Sequence, residues 1–239
     1  MKTYEFDAKS LVIETFNTLS HFAGVVLGIV FLTLMINKSL LIGSKNLPSF
    51  IVYGAFFILM FLTSTIYHAT FNKKIKAFAR IFDHTAIFLF IAGSYTPVIT
   101  SIFSGNMRIL LLCSIWLLAL GGTIFKIITH NSYDKYKKIS VILYIAMGWF
   151  AIIIFKPLLL EKSVKFIILL VLGGLLYTVG TIFYKSKNPV YHIVWHFFVL
   201  GAAIIHFFSY YFYLISWFRW YNILCKWIIF KEASKWKKH

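Results

Sequence analysis

The sequence predicts an all-α, polytopic membrane protein folded as a bundle of seven transmembrane helices. Two observations favour this class. Hydrophobic residues make up 60% of the 239-residue chain and charged residues only 13%, about half the share that is usual in soluble domains. The apolar residues also form long unbroken runs, each close to the ~20 residues that cross ~30 Å of hydrocarbon as a helix. Membrane β-barrels need short alternating strands instead.

Seven apolar segments follow one another, each approaching the length of one membrane crossing. Their expected bounds are 18–36, 49–68, 82–102, 108–127, 139–156, 164–184 and 191–215. The loops between them are short and mostly basic, so they leave no room for a second domain. The chain therefore divides into a short N-terminal segment at 1–17, a transmembrane domain at 18–215 and a C-terminal tail at 216–239.

The tail is rich in tryptophan and lysine. Arg219 and Lys226 would make an eighth crossing unfavourable, because charged side chains insert poorly into hydrocarbon. An amphipathic helix lying along the membrane interface fits this composition. A frayed basic tail is the alternative.

Lys and Arg outnumber Asp and Glu by 24 to 7, which gives a net charge of +17. The basic residues lie in short loops between apolar segments, so we expect lipid head groups as partners and no nucleic acid. Loops on the N-terminal side hold about twice as many Lys and Arg residues as the opposite loops, which predicts a cytoplasmic N-terminus. The tail evens the count, but early spans usually set the orientation.

Polar side chains recur at helical spacing near the ends of the apolar segments. His192 and His196 are four residues apart, so they share one helix face with Cβ atoms ~5–6 Å apart, as two ligands of one metal ion require. Ser64 and His68 have the same spacing at the end of the second segment.

The first segment begins with Glu14, Asn17 and His21, whose steps of three and four residues also place them on one face. Asp83 lies at the start of the third segment. A carboxylate at mid-depth in a span is unfavourable by ~2.5–3.5 kcal/mol, so ionisable groups kept there usually mark a functional site. We interpret His21 as a hydrogen-bonding residue of the bundle rather than a metal ligand.

The up-and-down topology brings these groups to one side of the membrane, because odd segments begin where even segments end. The layer holds Glu14, Asn17, His21, Ser64, His68, Asp83, His192 and His196. Three histidines with a neighbouring carboxylate are typical of a catalytic zinc site that has an open fourth position. His206 lies ten residues beyond His196, or ~15 Å deeper, and is not expected to share the metal. His84 points ~100° away from Asp83 around the helix and is also left out.

The chain resembles the haemolysin III family, within the progestin and adipoQ receptor superfamily. The resemblance extends from about residue 14 to 211 and depends on four motifs in order: Glu14-x-x-Asn17-x-x-x-His21, Ser64-x-x-x-His68, Asp83 followed by Gly93-Ser-Tyr-Thr-Pro97, and His192-x-x-x-His196. It implies a seven-helix bundle in a bacterial inner membrane, with a cytoplasmic N-terminus.

The same resemblance implies zinc held by His68, His192 and His196, with Asp83 as a carboxylate near the metal and Ser64 one turn from the first ligand. It also implies a link to membrane homeostasis. The wider superfamily is similar to alkaline ceramidases, which implies hydrolysis of lipid amides.

The leading hypothesis is a zinc-dependent hydrolase of lipid amide or ester bonds. Asp83 would take a proton from the attacking water or orient it, and Ser64 would hydrogen-bond the water or the developing oxyanion. A long acyl chain would lie between the helices. Two alternatives stay open. One is a non-enzymatic membrane sensor or regulator in which structural zinc has Asp83 as its fourth ligand. The other is a haemolytic pore, although segments four and five lack the polar residues of a pore lining.

Overall fold

The structure, a computed structural model, describes residues 8–186 and 188–215, and this part of the chain contains α-helices and no β-strand. Its helices are α1 (Ala8–Leu41), α2 (Leu47–Ala69), α3 (Lys73–Ile102), α4 (Gly105–Ile128), α5 (Tyr133–Gly148), α6 (Phe155–Glu161), α7 (Val164–Tyr184) and α8 (Pro189–Tyr213). Short 3₁₀ turns at His130–Ser132 and Trp149–Ile152 flank α5. The predicted all-α class is confirmed.

Six helices, α1 to α4, α7 and α8, are long and apolar enough to cross a membrane. A seventh crossing is available if α5 and α6, which meet at a bend of 45°, are taken together. Helix α1 is longer than the predicted segment of 18–36, so most of the predicted N-terminal segment is helical. The interfacial helix predicted at 216–239 lies outside the described residues.

The break between α5 and α6 corrects the prediction of one continuous helix at 139–156. Pro157 lies in the first turn of α6, and in a continuous helix its ring would clash with the carbonyl four residues earlier. Tyr95 of α3 binds the backbone at the break. Its hydroxyl donates to the Gly148 carbonyl at 2.5 Å and accepts from the Ala151 N–H at 2.9 Å. Backbone groups at membrane depth must be paired within the protein, so these bonds make a broken span possible.

The helices form a ring around a central space. In order around it, α1 contacts α2, α2 contacts α3, α3 contacts α5, α5 contacts α7, α7 contacts α8, and α8 returns to α1. Helix α4 lies outside the ring against α3 and α5. It approaches α3 closely at Gly122, where an added Cβ would lie 2.4 Å from the ring of Phe88. Many large apolar side chains are exposed on the outer surface, as expected for helices that contact lipid.

Candidate metal centre

Three histidines converge at one end of the ring. His68 lies in the last turn of α2, while His192 and His196 lie in the first two turns of α8. Each offers one ring nitrogen, and the three nitrogens lie within 4.8 Å of one another. The ring centroids of His192 and His196 are 4.5 Å apart, and those of His68 lie 5.3 Å and 4.9 Å from them. The topology thus brings together residues that are far apart in sequence.

His68 is held by a carboxylate on its outer side. Its Nδ1 donates to Glu14 Oε2 at 2.6 Å, and the other oxygen of Glu14 accepts from Lys76 Nζ at 2.8 Å. The Nε2 of His68 is buried and has no hydrogen-bond partner within the described residues. A histidine that donates one N–H to a carboxylate and presents its other nitrogen to a shared centre has the arrangement usual for a metal ligand.

His196 is oriented in the same way by a serine. Its Nδ1 lies 3.2 Å from Ser20 Oγ, and that hydroxyl donates to the carbonyl of Asn17 at 2.9 Å. Because a serine hydroxyl has one hydrogen, Ser20 accepts from His196 Nδ1–H. This bond assigns the proton to Nδ1 and leaves the lone pair of Nε2 for a ligand. Helix α1 therefore orients a histidine on α2 and another on α8.

The three imidazoles suit a metal ion. The Zn–N distance of ~2.0–2.1 Å places ligand nitrogens of a tetrahedral site ~3.3 Å apart, so the rings would need to move inward by ~1 Å or less. Three histidine ligands leave a fourth position open. Within the described residues, the carboxylates of Asp83 and Glu14 are not part of the group that converges on this point.

Asp83 and Ser64 lie beside the three histidines. Asp83 is in the third turn of α3 and Ser64 is one turn before His68 on α2, and both line the central cavity. Both Ser64 and His68 lie near enough to the Asp83 carboxylate to interact with it electrostatically. The structure thus places a carboxylate at the edge of the candidate centre, outside the group of three histidines.

The remaining histidines differ in their surroundings. His21 is buried with its ring centroid 3.8 Å from that of His196, but neither of its nitrogens has a hydrogen-bond partner among residues 8–186 and 188–215. The bundle hydrogen bond expected for His21 is therefore not observed. His206 Nε2 donates to the carbonyl of Leu170 at 3.1 Å, and His84 Nδ1 donates to the carbonyl of Arg80 at 2.7 Å. Neither belongs to the group of three.

A cavity of about 570 Å³ extends from this centre into the ring of helices. Asp83, Ser64, His192 and His196 line it, together with residues near the far ends of α3 and α8 such as Tyr95 and Tyr210. Most of its remaining wall is aliphatic or aromatic and comes from α3, α5, α6, α7 and α8. A long apolar space therefore opens directly beside the polar layer.

Two residues that hold the centre were not singled out in the sequence. Ser20 follows Asn17 by three residues, so the spacing that marked Glu14, Asn17 and His21 could have included it. Lys76 was assigned to a basic loop, but it lies inside α3, where it reaches Glu14. Only the packing of α1 and α3 against α2 reveals that contact.

Comparison with known proteins places this architecture in a family. The family model described as "Haemolysin-III related" matches residues 9–207, which include α1 to α7 and most of α8. The chain belongs to the haemolysin III family. Membership of this family, together with the apolar helices, identifies an integral membrane protein.

Relatives in this family extend from bacteria to mammals. The chain is 41% identical over 192 residues to "Hemolysin-3 homolog" of Bacillus subtilis, an alignment that covers 80% of this chain and 89% of the relative. It is 38% identical to "Hemolysin-3" of Bacillus cereus over 192 residues, covering 80% and 86% of the two chains. The human "Monocyte to macrophage differentiation factor" is 33% identical over 165 residues, 65% of this chain and 66% of the human protein. This last match supports the relationship to the progestin and adipoQ receptor superfamily.

Proposed function

We propose that this haemolysin III protein is a zinc-dependent hydrolase that cleaves amide or ester bonds of membrane lipids. One arrangement carries the proposal: three histidines that suit a metal ion meet a separate carboxylate at the head of an apolar cavity. A site with three protein ligands keeps a position for water or substrate, whereas structural zinc sites have four. Asp83 lies outside the histidine group, which favours the open type of site.

Zinc fits the donors that the chain supplies. His68, His192 and His196 are neutral nitrogen ligands, and Glu14 and Ser20 fix the rings of two of them by hydrogen bonds to Nδ1. When bound, zinc polarises a carbonyl group and lowers the pKa of its water to ~7.

Asp83 is the group to which we assign proton transfer. It would accept a proton from the attacking water and return it to the leaving amine or alcohol as the bond from the carbonyl carbon to nitrogen or oxygen breaks. The products are a fatty acid and the amine or alcohol. Ser64 lines the cavity together with Asp83, so we assign its hydroxyl to hydrogen-bonding the attacking water, the developing oxyanion or that carboxylate.

The cavity accounts for a substrate with a long acyl chain. Its volume of about 570 Å³ lies in the range of ~300–1,000 Å³ that is usual for ligand sites. A carbonyl group beside Asp83 would leave the acyl chain in the apolar part of the cavity, between α3, α7 and α8. Release of fatty acids would change the composition of the bilayer, which supports a role in membrane homeostasis.

A membrane sensor or regulator with a structural metal is the second candidate. It is favoured by the hydrogen bonds at the centre, because Glu14 joins α1 to both α2 and α3, and Ser20 joins α1 to α8. A metal bound there would tighten four helix ends without any reaction. The two candidates differ in whether the metal-bound protein hydrolyses a substrate.

The deciding experiment uses the full chain purified in a nonionic detergent. Zinc content and melting temperature are measured, and hydrolysis is followed for an N-acyl amide, an acyl ester and a chain-matched alkyl ether that contains no carbonyl. We expect amide or ester hydrolysis that is lost on chelation and recovered with zinc, and no reaction of the ether. Bound zinc that stabilises the fold, without hydrolysis of either substrate, would leave the sensor as the better account.

A further inference from the structure

Three cations gather around two tyrosines that line the cavity near the histidines, at the end that we call its mouth. The guanidinium carbon of Arg80 lies 4.9 Å from the centroid of the Tyr133 ring, and Lys126 Nζ lies 4.7 Å from the same ring. Lys137 Nζ lies 4.5 Å from the ring centroid of Tyr184. The two tyrosine hydroxyls are hydrogen-bonded to each other, so the three cations surround one continuous aromatic unit.

Two of these cations lack a direct ion pair within the part of the chain that the structure describes. Neither Arg80 nor Lys126 is in an ion pair there. Lys126 is only 5% exposed, and its ammonium donates to Ser140 Oγ at 3.0 Å. The two cations are also close enough to repel each other. Asp83 attracts Lys126 electrostatically without a direct ion pair, so among these described residues a single carboxylate faces three cations. The excess of buried positive charge makes the mouth a good place for a second anion.

The mouth is adjacent to the candidate metal centre. Tyr184 contacts Tyr133 at the cations, and its ring centroid lies 5.9 Å from that of His192. Arg80, Tyr133 and Tyr184 line the same cavity as Asp83 and His192. An anionic group held at the cations would therefore lie about one tyrosine ring away from the histidines. The apolar part of the molecule that carries this group could then extend into the cavity.

We infer that this mouth, formed by Arg80, Lys126, Lys137, Tyr133 and Tyr184, binds the phosphate group of an anionic lipid whose chain occupies the cavity. This inference rests on the proposed function, which makes the bound lipid a substrate. It adds the substrate class: acyl lipids that carry a phosphate a few bonds from the carbonyl. Arginine and lysine together suit phosphate, since a guanidinium provides paired donors and an ammonium a compact charge.

The test is a binding measurement that does not require turnover. The probes are radiolabelled hexadecylglycerol phosphate and uncharged hexadecylglycerol, both with an ether bond that this protein cannot hydrolyse. Binding to the full chain in nonionic detergent is compared for the parent, Arg80→Gln, Lys126→Gln and Arg108→Gln. Arg108 is a matched control, because it is exposed at the opposite end of α4 and does not line the cavity.

We expect the parent to bind the phosphate-bearing ether at least ~10-fold more tightly than the uncharged one, in line with the strength of charged hydrogen bonds. Arg80→Gln and Lys126→Gln should each lose most of this preference while keeping the parent's metal content, and Arg108→Gln should keep the preference. Because two variants are tested separately, misfolding of one of them would not prevent the comparison.

An equal affinity of the parent for the two ethers would overturn the inference, as would a preference that survives in both variants. Inorganic phosphate that displaces the charged ether completely at millimolar concentration would indicate a site for a soluble anion instead. Because ethers are bound and not cleaved, a protein with no hydrolase activity can still give the expected result. Failure of the proposed function and failure of this inference are therefore distinguishable.

Discussion

Glu14 and His68 are joined by a hydrogen bond of 2.6 Å that crosses from α1 to α2, and the same carboxylate accepts from Lys76 of α3 at 2.8 Å. This pair orients one ring of the candidate metal centre from a helix that contributes no member to the group of three histidines. The first helix of the chain is therefore expected to control metal affinity.

Glu14→Gln tests that expectation. The amide is the same size but provides one weaker acceptor, so His68 should be less well oriented and less basic. We expect zinc affinity to fall by ~10–100-fold, the usual effect of losing an outer partner of a ligand. The measurement is competition with a chelator, and Glu161→Gln is the control because Glu161 is exposed at the end of α6. Unchanged affinity in Glu14→Gln would show that this carboxylate has no role at the centre.

Metal content tests the ligand assignment itself. The parent should carry about one zinc per chain, and His192→Ala or His196→Ala should remove it, because two histidines rarely retain a structural or catalytic zinc ion. His206→Ala should keep the metal, since His206 is bonded to the Leu170 carbonyl and lies outside the group. Zinc retained in the double variant His192→Ala/His196→Ala would remove these residues from the assignment.

The substitution Asp83→Asn distinguishes the hydrolase proposal from the sensor proposal. The change keeps the shape of the side chain but removes the basic oxygen, so hydrolysis should fall by ~10²–10⁴-fold. Three histidines remain, so zinc should stay bound at the parent level. Zinc content, melting temperature and turnover are measured on one preparation. Normal turnover would disprove the catalytic role, and loss of zinc together with lower stability would indicate that Asp83 is a fourth ligand.

Tyr95→Phe tests how the broken span is stabilised. The phenyl ring still fills the space, but the Gly148 carbonyl and the Ala151 N–H lose their partner. Each unpaired buried group is unfavourable by ~1–3 kcal/mol, so the melting temperature in detergent should drop clearly. Tyr191→Phe is the control, because Tyr191 is 44% exposed. Equal melting of Tyr95→Phe and the parent would mean that the break is held by other contacts.

Orientation can be tested with reporters fused to either end. Seven crossings and a cytoplasmic N-terminus place the C-terminus on the opposite side of the membrane, as the distribution of Lys and Arg in the loops predicts. A C-terminal reporter should then be active only outside the cytoplasm. Cytoplasmic activity at both ends would mean an even number of crossings.

Helical spacing and the alternation of the spans were sufficient to predict that the three histidines meet, because neither depends on the details of side-chain packing. Four-residue spacing set His192 and His196 on one face, and alternation of the spans brought His68 to the same layer. The break after Gly148 was not predicted. Pro157 indicates only that a continuous helix is disfavoured, and the hydroxyl from α3 that pairs the backbone at the break reaches it only in the folded bundle. The reach of Lys76 to Glu14 depends on packing in the same way. Ser20, in contrast, has a spacing from Asn17 that the sequence already displays. The hydrogen bond expected for His21 is not observed, because its ring packs against the rings of Phe61 and His196 and neither nitrogen meets a partner within the described residues.

The order of the ligands along the chain has a consequence for biosynthesis. His68 is translated early, whereas His192 and His196 come from the final helix, which packs back against α1. A nascent chain that has not yet inserted α8 offers one histidine of the three, too few to retain a metal ion. Under the proposed zinc assignment, metal capture would be a late event that requires complete insertion, and a chain arrested before α8 would present a site with only one of its three histidines.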